Sequence, residues 1–300
     1  MKHTLIILVG PTAVGKTDLA VKLAKKLSCE IISCDSRQFY KEMSIGTAKP
    51  SLEEMQGIKH HFVDSHSVGI HYSAGDFERD VDSFLNKYFQ EKEVAIMVGG
   101  SGLFVQAVVS GLDDMPEAPL QLRAQLMERL EKGELSQLQE ELKKLDEITY
   151  KNIDLQNGQR VVRALEVCLS TGKPYSLFQK NAPKKRDYDI VKIGIESPRE
   201  ELYERINRRV DKMLESGLVK EVESLLEFKN QNALQTVGYK EVFGFLENEY
   251  DYQTMVDLLK RNTRRYAKRQ MTWFKNKDNF EWFDAQDIEK ILSFLKQKLK

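Results

Sequence analysis

The spacing of apolar and polar positions divides the chain into two kinds of segment. Short apolar runs bounded by glycine or an acidic residue predict buried β-strands, and they lie at residues 5–9, 30–35, 94–98 and 190–196. Apolar residues that recur every three or four positions predict amphipathic helices, at residues 18–27, 77–89 and 200–215. The tail from Phe280 onward predicts a last strand and helix. Because strands alternate with helices, the pattern predicts an α/β fold with a parallel sheet.

The pattern changes between residues 115 and 187. Met115-Pro116-Glu117-Ala118-Pro119 has the composition of a linker. Leucines then recur at helical spacing, at Leu122, Leu126, Leu130, Leu135, Leu138, Leu142 and Leu145. The predicted organisation is an α/β core formed by residues 1–114 and 188–300, with an all-helical insertion domain at residues 115–187.

The segment Gly10-Pro11-Thr12-Ala13-Val14-Gly15-Lys16-Thr17 fits the pattern G-x-x-x-x-G-K-[ST], between a predicted strand and a predicted helix. Glycine at both ends lets the backbone curl and turn N–H groups towards phosphate oxygens, and the helix adds its positive N-terminal end. Lys16 would neutralise phosphate charge, and the Thr17 hydroxyl would ligate Mg²⁺. The fold class is therefore expected to be a P-loop NTPase-like parallel sheet flanked by helices.

Two other strand ends bring chemistry to the same edge of this sheet. Asp35 follows the second strand, where a carboxylate beside a phosphate loop can be a metal ligand, a general base or a plain strand-end cap. The strand at 94–98 ends in Gly99-Gly100-Ser101, without the Asp expected of a P-loop enzyme that hydrolyses or transfers a γ-phosphate. Two glycines permit close backbone approach to a ligand, and Ser101 offers a hydroxyl. This strand end disfavours phosphoryl transfer.

Composition and charge narrow the possible partners. The 46 basic and 46 acidic residues give a formal net charge of zero, so a nucleic acid would have to bind a local patch. Such a patch is predicted in the segment 260–277, which has no acidic residue and carries Lys260, Arg261, Arg264, Arg265, Lys268, Arg269, Lys275 and Lys277. Three scattered cysteines and no 18-residue apolar run predict a soluble cytoplasmic protein, with no disulfide framework and no membrane segment.

The helix at 200–215 carries Arg205, Arg208 and Arg209, any of which could clamp a phosphate bidentately. Sequence spacing does not choose among the three. A cradle that holds a departing diphosphate would use all of these features together. The P-loop would bind the leaving group of an allylic diphosphate, and Asp35 would take the proton of an incoming amine.

Successive segments of the chain resemble the motifs of the tRNA dimethylallyltransferase family, and the tail, without zinc-finger spacing, is similar to the bacterial type. The segments are Gly10 to Thr17, Asp35-Ser36-Arg37-Gln38-Phe39-Tyr40, Ile45-Gly46-Thr47-Ala48-Lys49-Pro50, Tyr72-Ser73-Ala74-Gly75-Asp76-Phe77, Val98-Gly99-Gly100-Ser101-Gly102-Leu103, Gln159-Arg160-Val161-Val162-Arg163-Ala164-Leu165-Glu166 and Val237-Gly238-Tyr239-Lys240. The resemblance implies transfer of a dimethylallyl group from dimethylallyl diphosphate to the exocyclic amine of the adenosine immediately 3′ of the tRNA anticodon, with release of diphosphate.

The resemblance also implies roles for single residues. The diphosphate would bind Gly10 to Thr17 with Mg²⁺ on Thr17, and the catalytic residues would be Lys16, Thr17, Asp35 as general base, Ser101 and Arg209. The implied tRNA-binding residues are Asp35, Ser36, Arg37, Gln38, Ser101, Arg123, Gln159, Arg160, Val161, Val162 and Arg163. Ser101 stands where the family usually has threonine, and Phe104 where it usually has tyrosine. The implied partners are dimethylallyl diphosphate and the anticodon stem-loop of tRNA, and we expect a monomer.

Three other functions stay open at the level of sequence. They are a P-loop nucleoside or nucleotide kinase, a prenyltransferase that acts on free AMP, ADP or ATP, and a non-catalytic RNA-binding module switched by a nucleotide. If the acceptor is tRNA, a stacked adenine could not reach a diphosphate held at the sheet. The target base is therefore expected to be flipped into the site.

Overall fold

The computed structural model describes residues 3–180, 182–277 and 279–299. The chain folds into two compact units, one formed by residues 1–109 and 185–300 and the other by residues 110–184. We call them the core unit and the insertion unit. The insertion domain expected at residues 115–187 begins and ends slightly later in the sequence than the insertion unit does.

In the described part of the core unit, the strands form one parallel sheet. They are β1 (Thr4–Val9), β2 (Ile31–Ser33), β3 (His60–His61), β4 (Val94–Gly99), β5 (Asp189–Glu196) and β6 (Glu281–Asp284), in the spatial order β3-β2-β4-β1-β5-β6. β1 pairs in parallel with β4 and β5, which places Leu8 beside Val98 and Ile193. The predicted parallel α/β sheet is confirmed. The strands that follow β1 in the chain are added first on one side of it, up to β4, and then on the other side, from β5 onward. Parallel sheets bind ligands at the carboxyl ends of the strands, beside the strand where the order reverses in this way.

β1 is buried along its whole length, as expected of a central strand in a parallel sheet. Ile6 and Leu8 belong to one apolar cluster, whereas Leu5, Ile7 and Val9 belong to a second. The alternation follows from the two-residue period of a strand, which sends successive side chains to opposite faces. Each of these buried side chains stabilises the fold by roughly 1.5–3 kcal/mol. Because β1 is held on both faces, the start of the loop that follows it has a fixed position.

Helices connect the strands. In chain order they are α1 (Lys16–Leu27), α2 (Leu52–Met55), α3 (Ala74–Tyr88), α4 (Gly102–Ser110), α5 (Leu120–Glu131), α6 (Leu135–Leu145), α7 (Glu147–Asn152), α8 (Gly158–Thr171), α9 (Arg199–Glu215), α10 (Leu218–Glu223), α11 (Tyr239–Leu246), α12 (Tyr252–Lys277) and α13 (Ile288–Lys298). Short 3₁₀ helices lie at Tyr175–Phe178 and Leu226–Phe228. Within the described ranges, none of these helices has both the length and the apolarity that crossing a membrane requires.

The apolar spacing predicts some helices well and misses others. α1, α3, α9, and the tail elements β6 and α13, are confirmed. α3 begins earlier than predicted because Ser73 and Asp76 form a capping box in which each side chain accepts the other's backbone N–H. α4 is not predicted because residues 103–109 are almost continuously apolar and show no helical period. α12 is longer than the basic segment that predicts it, since it already begins at Tyr252.

The insertion unit has an apolar core of its own. Helices α5, α6 and α8 bury side chains that include Leu126, Leu138, Leu142, Val161 and Leu165. Three of these leucines belong to the spacing that predicts consecutive helices there, so that prediction is confirmed. The buried carboxylate of Asp146 joins two segments of this unit: it accepts the backbone N–H of Thr149 at 3.0 Å and that of Ser176 at 2.7 Å.

Candidate active site

A cavity of about 960 Å³ opens at the carboxyl ends of β1, β2 and β4. Its walls come from the core unit: the loop after β1, the two other strand ends, residues 44–50, and one side each of α9 and α12. The charged residues of the lining are Lys16, Lys49, Arg205, Arg208, Arg209 and Lys212, against Asp18, Asp35 and Glu54. This excess of positive charge suits a polyanionic ligand.

The loop between β1 and α1 has the backbone geometry of a phosphate cradle. Gly10, Ala13 and Gly15 all take positive φ, at 155°, 64° and 103°. Gly10 also leaves no room for a side chain, since a Cβ there would lie 2.5 Å from the carbonyl oxygen of Ile195. Because α1 begins at Lys16, its N-terminal end adds partial positive charge directly after the loop. The predicted P-loop therefore has the backbone conformation that its sequence requires.

Lys16 turns back onto its own loop, where Nζ donates a hydrogen bond to the carbonyl oxygen of Pro11 at 2.7 Å. Burial, reinforced by the charge of Arg209, lowers the pKa of Lys16 to about 7, while the charge of Asp35 acts in the opposite direction. A sizeable fraction of Lys16 is therefore uncharged at neutral pH. A bound phosphate would favour the charged form and raise the pKa again.

The three arginines of α9 all line the cavity, but their surroundings differ. Burial lowers the pKa of Arg209, and the charge of Asp35 raises it. The guanidinium of Arg205 lies beside the P-loop, because a Cβ on Gly15 would be 3.2 Å from its Nη2. Arg208 is exposed. Arg209, which the resemblance assigns to diphosphate binding, is partly buried, and its charge helps to lower the pKa of Lys16.

Asp35 lies in a turn that directly follows β2. Its Oδ1 accepts the backbone N–H of Arg37 at 2.9 Å, which holds the carboxylate in place. Ser101, at the end of β4, is buried; its Oγ accepts the N–H of Ser36 at 2.9 Å and donates to the Ser36 Oγ at 3.1 Å. Tyr266 of α12 also lines the cavity; burial and then the charge of Asp35 raise its pKa, whereas the charges of Arg37 and Arg269 and a hydrogen bond with Ser101 lower it.

The glycine pair after β4 makes room for protein atoms as well as for a ligand. A Cβ at Gly99 would lie 2.1 Å from the carbonyl oxygen of Cys34, and a Cβ at Gly100 would lie 2.1 Å from Nε2 of Gln270. Cys34 also donates its N–H to the carbonyl oxygen of Val98 at 2.7 Å. The expected close approach is thus made by β2 and α12, although both glycines also line the cavity.

One wall of the cavity, residues 44–50, is held by Glu221 of α10. Its Oε2 accepts the N–H groups of Ser44 at 3.0 Å and Ile45 at 2.7 Å. Its Oε1 accepts the N–H of Gly46 at 3.0 Å and the hydroxyl of Tyr239 at 2.6 Å. Tyr239 is fully buried, and a Cβ at Gly46 would lie 2.5 Å from its ring. One carboxylate therefore fixes the backbone of this wall.

The residues that the resemblance assigns to tRNA fall in both units. In the core unit they form the turn after β2, where the side-chain amide of Gln38 donates to the carbonyl oxygens of Thr47 and Ala48 at 3.3 Å. Arg37 and Ser36 are only partly exposed there. This turn is thus joined to the wall at residues 44–50.

In the insertion unit, Gln159 and Arg160 are exposed at the start of α8. Arg123 and Arg163, each about two-fifths exposed, lie 3.1 Å from the buried carboxylate of Glu166. Val161 and Val162 have no exposed surface, so their side chains belong to the apolar core and cannot contact a partner. Any tRNA contact in this segment has to be made by the polar residues around them.

The basic segment predicted on α12 serves two purposes. Arg264 donates to the side-chain oxygen of Asn207 at 2.6 Å, and Lys260 pairs with Asp211 at 2.6 Å, so both fasten α12 to α9. Four other basic residues of α12 are exposed, and we call them the α12 basic face: Arg261, Arg265, Lys268 and Arg269. This face is open to a polyanion.

Within the described residues, no group of three or more His, Cys, Asp or Glu side chains could hold a metal ion. The adjacent histidines have separate partners: His60 contacts the Ile58 carbonyl oxygen at 2.9 Å and His61 contacts the Glu30 carboxylate at 2.5 Å. Thr17 lines the cavity. Mg²⁺ at such a position is normally held by few protein ligands together with phosphate oxygens and water. The residues present therefore fit a Mg²⁺ ion that arrives with a diphosphate.

Sequence reasoning did not identify Gln270 or Glu221 as residues of the site. The signal for Gln270 is a polar residue on an otherwise apolar helix face, between the buried Ala267 and Phe274. Glu221 gives no comparable signal, because charged residues on a short helix are usually solvated.

The parallel sheet, the loop after β1 and the basic cavity together define a P-loop α/β protein whose cavity suits a phosphorylated ligand next to a carboxylate. Comparison with known proteins gives the family: the sequence model described as IPP transferase matches residues 38–277. The tRNA dimethylallyltransferase of Cytophaga hutchinsonii is 48% identical over 295 residues, 98% of this chain and 97% of the relative. That of Christiangramia forsetii is 44% identical over 300 residues, 100% of this chain and 99% of the relative. The chain belongs to the IPP transferase family.

Solved structures agree with this assignment. The crystal structure of the full-length tRNA isopentenylpyrophosphate transferase of Bacillus halodurans matches with a TM-score of 0.74 and 38% identity, over 99% of this chain and 97% of the other. A eukaryotic dimethylallyltransferase acting on tRNA matches with a TM-score of 0.79 and 28% identity, over 99% of this chain and 77% of the other. The predicted family and fold class are both confirmed.

Proposed function

We propose that the chain is a tRNA dimethylallyltransferase that transfers a dimethylallyl group from dimethylallyl diphosphate to the exocyclic amine of the adenosine immediately 3′ of the anticodon. The observation that carries the proposal is that a P-loop and the Asp35 carboxylate open into one basic cavity. Family membership agrees with it, since relatives along the whole chain are named for this reaction.

The cavity supports a direct displacement. The amine nitrogen forms a bond to C1 of the dimethylallyl group while the bond from C1 to the diphosphate oxygen breaks, and that electron pair leaves with the diphosphate. The N–H proton passes to the carboxylate of Asp35, which the Arg37 N–H holds in place. Diphosphate, proton and modified adenosine account for all atoms of the two substrates.

The negative charge that develops on the leaving diphosphate is matched by fixed positive groups. Lys16, Arg205 and Arg209 line the cavity, and the N–H groups of the P-loop and the start of α1 add partial positive charge. Because the arginines and the N–H groups are already in place and Lys16 is charged once the diphosphate has bound, little reorganisation is needed as the bond breaks. We assign the diphosphate to this end of the cavity.

Mg²⁺ fits the same proposal. Thr17 would hold it, with the diphosphate and water supplying the other ligands. When bound, the ion supplies further positive charge to the leaving group.

We propose that the enzyme is a monomer. We also propose that it works in the cytoplasm, because its three cysteines are free and buried, as suits a reducing compartment.

The acceptor end of the site must admit a base from tRNA. Asp35 and Ser101 lie at the strand ends, and an adenine can reach them only if it leaves the anticodon stack. A single-stranded loop makes that step cheaper than in a duplex. The α12 basic face and the exposed Gln159 and Arg160 are the surfaces that we assign to the tRNA backbone.

A P-loop kinase is less consistent with this site. A kinase of this class places an acidic Mg²⁺ ligand near the γ-phosphate, whereas β4 ends in Gly99, where the Cys34 carbonyl leaves no room for a side chain. Prenyl transfer to free adenine nucleotides would use the same chemistry with a smaller acceptor, so it has to be separated by experiment.

The test is incubation of the protein with dimethylallyl diphosphate, Mg²⁺ and unmodified tRNA, with AMP and ATP as alternative acceptors and nucleoside mass spectrometry as the readout. We expect a dimethylallyl mass increment on one adenosine of the tRNA and none on the free nucleotides. Modification of AMP or ATP alone would contradict the proposal.

Two variants test the role of Asp35. Asp35→Asn keeps an oxygen that can accept the Arg37 N–H but loses the proton acceptor, so it should abolish transfer, as should Asp35→Ala. Both should bind tRNA within about threefold of the wild type, because a single carboxylate adds little to phosphate-dominated affinity. Normal turnover by Asp35→Asn would rule out the general-base role.

A further inference from the structure

α12 contributes one side chain that enters the P-loop. Gln270 is 6% exposed, and its two amide atoms make different bonds: Oε1 accepts the backbone N–H of Thr12 at 2.9 Å, and Nε2 donates to the carbonyl oxygen of Gly100 at 3.0 Å. The loop after β1 and the loop after β4 are therefore joined through one amide. The two bonds also fix which way the amide faces, because only one orientation satisfies both.

The residues around Gln270 leave just enough space for its side chain. Gly100 has no Cβ, and one would lie 2.1 Å from Nε2 of Gln270, so the glycine provides the space that the amide occupies. Ala267 and Phe274, on the same face of α12, are buried on either side of it. A buried amide with both of its polar atoms bonded costs little, whereas an unbonded polar atom would carry its full desolvation penalty. Its geometry is therefore strictly defined.

The bond to Thr12 matters because of where Thr12 lies. It is the third residue of the P-loop and precedes Ala13, a non-glycine residue with φ of 64°. A non-glycine residue with this backbone conformation is strained, and the conformation persists only where its surroundings hold it. The N–H of Thr12 is occupied by Gln270 and so is not one of the groups that can bind a phosphate. Gln270 thus holds the loop in a curved form while the remaining N–H groups stay available.

We propose that Gln270 is a positioning residue for diphosphate binding: its amide clamps Thr12 to Gly100 and keeps the P-loop in the binding conformation before the ligand arrives. The inference deepens the function proposed above and rests on it for the identity of the ligand. It predicts that loss of either bond weakens binding of the diphosphate group and leaves binding of tRNA unchanged.

Two substitutions separate positioning from charge. Gln270→Met has nearly the same shape but makes neither bond. Gln270→Glu can still accept from Thr12 but cannot donate to Gly100, and it adds a negative charge near the phosphate. Gln253 is an exposed glutamine on the same helix, so Gln253→Met and Gln253→Glu are matched controls.

The first measurement is calorimetric binding of inorganic diphosphate with Mg²⁺, which needs no turnover. We expect Kd to rise by about tenfold or more in both Gln270 variants, as when one buried hydrogen-bonded contact is lost, and by less than twofold in the Gln253 controls. The Kd for an anticodon stem-loop should stay within about threefold, and the KM for dimethylallyl diphosphate should rise more than kcat falls. Wild-type diphosphate affinity in Gln270→Met would overturn the proposal, even if Gln270→Glu binds weakly, because the effect would then be one of charge.

A measurement on the wild-type protein keeps the test decisive if a variant does not fold. Amide hydrogen exchange followed by NMR should show the Thr12 N–H protected in the ligand-free protein, and rapid exchange of that N–H would overturn the clamp. The proposed function fails separately, if the wild-type protein binds diphosphate but transfers no dimethylallyl group to tRNA. In that case the diphosphate measurements still decide the role of Gln270.

Discussion

Replacement of Glu221 by glutamine is expected to loosen the wall of the cavity formed by residues 44–50. The carboxylate accepts bonds at both oxygens: the N–H groups of Ser44 and Ile45 at Oε2, and the N–H of Gly46 and the hydroxyl of Tyr239 at Oε1. A glutamine has a single acceptor oxygen. Whichever way its amide turns, one of these pairs of donors faces an NH₂ group.

The size of the effect follows from the bonds that are lost. Hydrogen bonds to a charged group contribute about 1.5–3 kcal/mol each, and Glu221 is only partly buried, so water replaces part of the loss. We expect Glu221→Gln to lower the free energy of unfolding by about 2–4 kcal/mol and Tyr239→Phe to lower it by about 1–2 kcal/mol. Glu221→Gln either turns its NH₂ group towards the Tyr239 hydroxyl or leaves that hydroxyl a weaker bond to a neutral oxygen, and Tyr239→Phe removes the bond altogether. The double variant should therefore be about 1 kcal/mol more stable than the sum predicts.

Urea denaturation of the four proteins of this double-mutant cycle measures that difference. Both tryptophans, Trp273 and Trp282, lie in the core unit, so their fluorescence reports the unfolding of the unit that contains Glu221. Glu223 is exposed on the same helix, and Glu223→Gln should change stability by less than about 0.5 kcal/mol. Additivity of the two substitutions within about 0.3 kcal/mol would refute the reasoning, because it would mean that Glu221 and Tyr239 do not share a bond in solution.

Three further predictions concern the P-loop and its neighbours. Burial lowers the pKa of Lys16 to about 7, and a bound phosphate favours its charged form, so the affinity for diphosphate should fall as the pH rises above 7. At about pH 8.5, binding of diphosphate should take up close to one proton more in the wild type than in Lys16→Arg, as measured by calorimetry in two buffers of different ionisation enthalpy. Equal proton uptake by the two proteins would argue against the lowered pKa. Thr17→Ala should shift the Mg²⁺ dependence of turnover to about tenfold higher concentration while Thr17→Ser restores it, and an unchanged titration in Thr17→Ala would exclude the hydroxyl as a ligand. Gly99→Ala should lower the free energy of unfolding by about 1–3 kcal/mol, since its Cβ would lie 2.1 Å from the Cys34 carbonyl, whereas Gly69→Ala, which meets no neighbour, should leave the urea midpoint nearly unchanged.

Much of the site could be predicted from sequence because its parts are local. The P-loop is a single run of residues whose glycines, lysine and threonine are each required by backbone geometry or by phosphate chemistry. Asp35 could be placed for a similar reason: the apolar run before it predicts a strand, and a parallel sheet brings the carboxyl ends of its strands to one edge. The cavity at that edge contains both. The roles of these residues in catalysis stay predictions that the variants above test.

The parts that could not be predicted depend on contacts between distant positions. Gln270 lies 258 positions from Thr12, and Glu221 lies 177 positions from Ser44. Periodicity shows which face of a helix is buried but not which loop that face meets. The same limit explains Val161 and Val162: the resemblance assigns a whole segment to tRNA, whereas the helical period decides which of its side chains reach the surface.

The end of β4 helps to explain how a P-loop can bind a leaving diphosphate instead of a phosphate that is transferred. In a phosphoryl-transfer enzyme, a carboxylate beside the P-loop acts on the metal and the γ-phosphate. Here the Cys34 carbonyl occupies the space that a side chain at position 99 would need, so β4 cannot supply that acid. The carboxylate comes instead from β2, one strand further from the P-loop, where a fixed turn holds it and the bonded serines Ser36 and Ser101 lie beside it. About 4.8 Å, the spacing of neighbouring strands, therefore separates this carboxylate from the strand that carries the acid in a phosphoryl-transfer enzyme. We infer that this shift between adjacent strands is what suits the cavity to alkyl transfer, with the diphosphate as the group that departs.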